Sequence, residues 1–199
     1  SGMDRVFFSN SGTEANETAL KIARKYGKAK GGERKSKIIC MKESFHGRSM
    51  GALSVTGNEK YRKPFEPLIG GVRFADYNDL ESVKSQLTDK TCGIILETVQ
   101  GEGGIYPATE EFLKGVQALC EEHDLVLILD EILASCNYGM VNEQSVTEFL
   151  KNRPENLEVV LTGRNPSETF LELADFVSEI HMRRHPYEKG IPARRGIER

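Results

Sequence analysis

Leu125-Val126-Leu127-Ile128-Leu129-Asp130-Glu131 (LVLILDE) decides the fold. Five consecutive apolar residues end in a carboxylate pair, with no polar alternation. A strand with one wet face would alternate apolar and polar side chains, whereas an unbroken apolar run belongs to a parallel strand covered on both faces. Lys37–Met41 (KIICM), Val72–Ala75 and Gly93–Glu97 (GIILE) have the same character. So do Arg5–Ser9 (RVFFS), Leu157–Thr162 (LEVVLT) and, more weakly, Phe176–Ile180. Helical spacing of apolar residues fills the intervals at Thr13–Lys30, Leu80–Leu87, Glu110–Glu122, Glu143–Lys151 and Ser167–Ala174. Strand–helix alternation predicts an α/β fold: a mostly parallel sheet with helices on both faces and right-handed crossovers.

The chain has 199 residues and a net charge of -3, which fits one large or two small domains and gives no electrostatic case for nucleic acid. Arg183, Arg184, Lys189, Arg194 and Arg195 form a basic tail, either an anion-binding segment or a solvated surface. Cys40, Cys92, Cys120 and Cys136 form no CxxC pair, as expected of a reduced, cytoplasmic protein. No apolar run approaches the ~20 residues that span a bilayer. The abrupt entry of Ser1–Arg5 into a strand implies a start inside a larger domain.

Ligands of parallel sheets sit beyond the carboxyl ends of the strands, so the residues there are the candidate site. The first group is Ser9-Asn10-Ser11-Gly12-Thr13-Glu14-Ala15-Asn16 (SNSGTEAN), a turn of small residues opening a helix. Its backbone N–H groups suit a phosphate, though Ser11 or Thr13 would equally serve as an ordinary N-cap. The second is Ser44-Phe45-His46-Gly47-Arg48 (SFHGR), an aromatic face beside a histidine and an arginine able to grip a carboxylate through two hydrogen bonds. Alternatively it is a loop packed on Phe45. The third is Asp130-Glu131, where a buried carboxylate needs a protonated pyridine nitrogen, a magnesium ion or a helix N-terminus as its partner.

With Glu97-Thr98-Val99-Gln100-Gly101-Glu102-Gly103-Gly104 (ETVQGEGG), Asn58, Tyr61 and Pro64–Pro67 (PFEP), these groups resemble class III pyridoxal-phosphate (PLP) aminotransferases of the acetylornithine and ornithine type over residues 1–131. The resemblance implies a fragment of the PLP-transferase large domain. PLP would be held by Gly12, Thr13, Phe45, His46 and Asp130, and an amino acid substrate by Arg48 and Glu97. It also implies a homodimer where the family interface is kept. No catalytic residue is assigned, because the Schiff-base lysine has no counterpart: only Lys151 and Lys189 follow Asp130, and neither has the family's S-K-x-x-G-G-G context. The family's D-E-V-Q stands here as Asp130-Glu131-Ile132-Leu133. PLP would then bind without a covalent anchor and turnover would be lost.

From Leu125 onward the sequence resembles a second family. Tyr138-Gly139, Val160-Leu161-Thr162-Gly163-Arg164-Asn165 and His185-Pro186-Tyr187-Glu188-Lys189-Gly190-Ile191 are similar to the carboxyl-terminal part of ATP:corrinoid adenosyltransferases. That implies a P-loop-type α/β segment over 132–199 and, as alternative ligands, ATP with magnesium and a corrinoid. The ATP-binding G-x-x-x-x-G-K-[ST] does not occur in the chain. The remaining expectation is a chimeric α/β protein with neither activity. No resident metal site is expected.

Overall fold

A computed structural model describes residues 11–102, 104–131, 136, 139, 142–152 and 166–173. The strands expected at Arg5–Ser9, Leu157–Thr162 and Phe176–Ile180, and the basic tail, lie outside the described residues.

Helix α1 (Gly12–Gly31) begins where Ser11 supplies the N-cap, its Oγ accepting from the Glu14 N–H at 3.3 Å, so the ordinary capping role applies to Ser11. It ends at Gly32, whose φ of 79° only glycine adopts without strain. β1 (Lys37–Met41), β2 (Val72–Ala75), β3 (Thr91–Glu97) and β6 (Val126–Asp130) form one sheet in the order β2-β1-β3-β6. Every ladder in it is parallel, with Ile39 opposite Ile94 and Ile95 opposite Ile128. α2 (Met50–Val55), α3 (Glu59–Arg62) and a short turn of 3-10 helix (Lys63–Phe65) lie between β1 and β2. α4 (Leu80–Gln86) connects β2 to β3. β4 (Val99–Gln100) and β5 (Tyr106–Pro107) pair as a small antiparallel ribbon before α5 (Glu110–His123). α6 (Glu143–Asn152) and α7 (Glu168–Leu173) follow β6.

Side chains alternate across the sheet, so each strand feeds two cores. On one face Ile38, Cys40, Ile95 and Ile128 meet Ala19, Leu20 and Ala23 of α1. On the other, Ile39, Met41, Ile94 and Leu96 meet Val83 of α4 and Phe112, Val116 and Leu119 of α5. All seven residues of β3 are buried. Burial of such side chains contributes about 1.5–3 kcal/mol each, and this accounts for the unbroken apolar spelling of the strands. All four cysteines are free and buried.

At Gly27, α1 packs tightly against the start of β3. A Cβ there would overlap the Cys92 side chain and the Lys35 carbonyl. Glycine to alanine in a solvated helix gains about 1 kcal/mol, but overpacking costs about 1–3 kcal/mol. Neither obstructing atom is the end of a flexible chain, so the cost wins. Gly27→Ala should therefore lower the urea unfolding midpoint, with a net loss of up to about 2 kcal/mol; a raised midpoint would show that α1 can lift off β3.

Candidate functional site

β1 and β2 run to one side of the sheet, and the chain then crosses back to place β3 on the other side of β1. The carboxyl ends of β1 and β3 therefore flank a switch in strand order, where open α/β sheets bind ligands. Three motif segments meet there. The Asn16 Nδ2 donates to the His46 carbonyl oxygen at 2.9 Å and to Asp130 Oδ2 at 2.9 Å, which ties α1 to the loop after β1 and to the end of β6. His46 Nδ1 lies 2.9 Å from the same Asp130 oxygen, and facing a carboxylate it is the ring nitrogen that donates. The His46 ring is fully buried and the Asp130 side chain is 4% exposed. The other ring nitrogen, Nε2, is buried without a hydrogen-bond partner.

The loop is held from below. Ser44 Oγ donates to the Met41 carbonyl and accepts from the Gly57 N–H, and the His46 N–H donates to Thr56 Oγ1 at 3.0 Å. Gly47 has a φ of 126° and faces Thr13, whose side chain fills the space that a Cβ at 47 would need. Thr13 is thus locked against the SFHGR loop. Gly12 is exposed, with open space where its Cβ would be. Glu17, one turn along α1, accepts from Ser49 Oγ at 2.6 Å and from the Gly51 and Ala52 N–H groups at 2.7 and 3.2 Å. Its carboxylate occupies the amino end of α2, and its pKa is lowered: these donors outweigh burial, which acts the other way.

Glu97 sits beside Asp130 in the β3–β6 ladder and accepts from the Phe45 N–H at 3.2 Å. Burial, more than the opposing influence of His46, pushes its pKa up to about 7; the neighbouring Asp130 and Glu131 add to the rise. The Tyr77 hydroxyl donates to the Glu97 carbonyl at 2.8 Å. On the exposed rim, Phe45 meets Tyr61 edge to face at 5.5 Å. The Arg48 guanidinium stacks 4.0 Å above the Tyr61 ring, and the Tyr61 hydroxyl donates to Glu102 Oε2 at 2.9 Å.

The residues singled out in the sequence thus form two tiers. His46, Glu97 and Asp130 make a buried floor. Phe45, Arg48, Gly12 and Thr13 lie around it, partly or fully exposed. The sequence reading missed Asn16 as the joint and Glu17 as the prop. The available signal was a helix whose buried face, otherwise Ala19, Leu20 and Ala23, opens with an amide.

The chain is an open parallel α/β domain with buried carboxylates at the ends of β3 and β6, the strand ends where folds of this class hold their ligands. More particularly, the chain belongs to the aminotransferase class-III family, whose model matches residues 1–137, and residues 77–199 also match the ATP:corrinoid adenosyltransferase BtuR/CobO/CobP family. The two matches share residues 77–137. Over 141 residues the chain is 52% identical to the acetylornithine aminotransferase of Clostridium acetobutylicum, covering 71% of this chain and 36% of that protein. The ornithine aminotransferase structure from Toxoplasma gondii superposes with a TM-score of 0.61 at 34% identity, over 66% of this chain and 32% of that one. A PLP-bound amine transaminase from an uncultivated Pseudomonas species gives 0.60 at 28% identity, over 64% of this chain and 34% of that one. The chain spans about a third of the length of these relatives. Among the described residues no helix is long and apolar enough to cross a membrane.

The raised pKa of Glu97 has a definite sign. The unfolded chain releases this proton near 4.5 and the folded chain near 7, so stability falls as pH rises between those values and is flat above them. Glu97→Gln keeps an acceptor for Phe45 and removes the ionisation. Relative to the unsubstituted chain, it should gain of order 3 kcal/mol between pH 4.5 and pH 8 in urea melts. A pH-independent difference would mean that Glu97 ionises freely.

Proposed function

We propose that residues 1–131 form a PLP-binding fragment of an acetylornithine- or ornithine-type aminotransferase that binds the cofactor without a covalent anchor and does not turn over. The observation that carries this reading is the buried Asn16–His46–Asp130 network at the switch between β1 and β3. A carboxylate desolvated to this degree, held by two donors, suits the nitrogen of a flat protonated ring, and the orphaned His46 Nε2 marks the same place as polar and sheltered.

Asp130 would hold the proton on the pyridine nitrogen, with Asn16 and the His46 Nδ1–H fixing its carboxylate and favouring its charged form. Phe45 would cover one face of the ring. Gly12 and Thr13, in the first turn of a 20-residue helix, would direct backbone N–H groups at the phosphate. Arg48, already stacked on Tyr61, would present its guanidinium to the carboxylate of an amino acid. Bound PLP supplies an electron sink beside the substrate α-carbon. The protein's missing part is the amine that moves the proton: Lys151 is exposed on α6, and Lys189 lies outside the described residues. We place the protein in the cytoplasm, and as a homodimer where the family interface is kept.

The match over 77–199 favours a second reading, an ATP:corrinoid adenosyltransferase remnant, with residues 132–199 as its carboxyl-terminal segment. The boundary near residue 131 is part of the same proposal.

Equilibrium dialysis and absorbance titration with PLP test the first reading. Saturable binding should weaken at least ten-fold, about 1.4 kcal/mol, in Asp130→Ala. Borohydride should trap no stoichiometric adduct on Lys151 or Lys189, and acetylornithine should donate no amino group to a keto acid. An adduct at either lysine together with amino transfer would overturn it. Tight magnesium-dependent ATP binding would favour the second reading.

A further inference from the structure

An open surface recess of about 590 Å³ is lined by Lys21, Arg24, Lys25, Lys28, Glu33 and Ser36. Ser36 precedes β1, and Arg24 reaches the Gly70–Gly71 turn that precedes β2, its Nη2 donating to the Gly70 carbonyl at 2.7 Å. The recess therefore opens at the amino edge of the sheet, whereas the PLP site lies at the carboxyl edge. Along α1, Lys25 is about 20 Å beyond Gly12 at 1.5 Å per residue.

Its lining carries four cations and one carboxylate. Lys21, Arg24, Lys25 and Lys28 recur at three- and four-residue spacing, so they are neighbours on one helix face, and like charges so placed repel. The one carboxylate, Glu33, is spent on Lys28 at 2.8 Å. Glu17 lies a turn from Lys21 and acts on it through space, but its oxygen is committed to the amino end of α2. The helix dipole favours Lys28 in the last turn but does little for Lys21 and Arg24 in the middle. Arg24 is further held in place by Gly70, and its Nε is buried with no acceptor. A helix face that only needed solubility would mix signs; this one concentrates one sign around an open recess and fixes one guanidinium there through its bond to the Gly70 carbonyl.

We propose that this recess is a binding site for a small phosphate-bearing polyanion, separate from the PLP site. Arg24 supplies directed N–H donors to a phosphate oxygen, Lys21 and Lys25 supply mobile charge on either side, and Ser36 completes the lining. Two or more phosphate charges are needed to offset the excess of cations. The inference does not depend on the chain binding PLP.

Calorimetric titration of the full chain tests it, with inorganic pyrophosphate as the probe and orthophosphate beside it. Pyrophosphate should bind saturably at one site per chain, at least ten-fold more tightly than orthophosphate, and should weaken on going from 50 to 200 mM salt. Lys25→Glu changes an exposed side chain and leaves the core alone; it should weaken binding at least ten-fold. Lys21→Glu should do the same. ATP in place of pyrophosphate shows whether the recess also accepts a nucleoside. The proposal fails if pyrophosphate gives no saturable heat at millimolar concentration, or binds Lys21→Glu and Lys25→Glu as well as it binds the unsubstituted chain.

Discussion

The side-chain amide of Asn16 is the contact on which the arrangement of the carboxyl edge depends. It is 2% exposed, and its nitrogen serves two acceptors from different parts of the chain, the His46 carbonyl and the Asp130 carboxylate. Buried acceptors left without donors cost about 1–3 kcal/mol each, more when charged. The amide thus fixes the distance between α1, the loop after β1 and the end of β6. Apolar packing of Ala19, Leu20 and Ala23 presses α1 onto the sheet but tolerates sliding; a hydrogen bond to two fixed points does not. The small residues before Asn16 and the backbone of SFHGR take their positions from this joint.

A second constraint makes the joint useful. Glu97 and Asp130 end neighbouring strands in register, so two carboxyl groups meet in a desolvated place. Two adjacent buried carboxylates repel, and the system lowers the cost by dividing their roles. Asp130 receives the Asn16 and His46 donors, which suit a charged group. Glu97 has one backbone donor, and its pKa moves up to about 7. The donors at the floor of the site are thus concentrated on Asp130, and Glu97 beside it takes up its charge only near neutral pH.

The sheet was legible in the sequence because its physical cause is local. Strands covered on both faces must be apolar throughout, and Lys37–Met41 and Val72–Ala75 have the observed bounds. β3 starts at Thr91, two residues before the expected Gly93, because buried Thr91 still pairs with Lys37 of β1, across a register shift that skips Cys92. The expected helices differ from the observed ones by one residue or so at their ends. α2 and α3 were not seen: six and four residues are too few to show a helical period, and α2 depends on a carboxylate from α1 for its amino end. The β4–β5 ribbon has two residues per strand and no periodicity to detect. For the site, the strand-end rule located His46 and Asp130, because a polar residue after an apolar strand is visible in one dimension, whereas Glu97 came from the family resemblance. Asn16 was not assigned, because its partners are 30 and 114 residues away.

The same locality explains how two families can claim residues 77–137. α4, β3, α5 and β6 form a complete strand–helix–strand layer: Val83, Phe112, Val116 and Leu119 pack on Ile94, Leu96 and Leu127 without help from α1. A parallel α/β unit of this kind needs only an apolar strand, an amphipathic helix and a polar strand end, and both families build with it. What separates them lies at the edges of the unit. One edge is the α1 and SFHGR surface, which Asn16 joins to Asp130. The other lies beyond residue 137, where only the adenosyltransferase match continues. Asp130 falls within both matches, but Asn16 and His46, which fix its carboxylate, fall within the aminotransferase match alone. The hydrogen bonds at that carboxylate are therefore set by the first part of the chain.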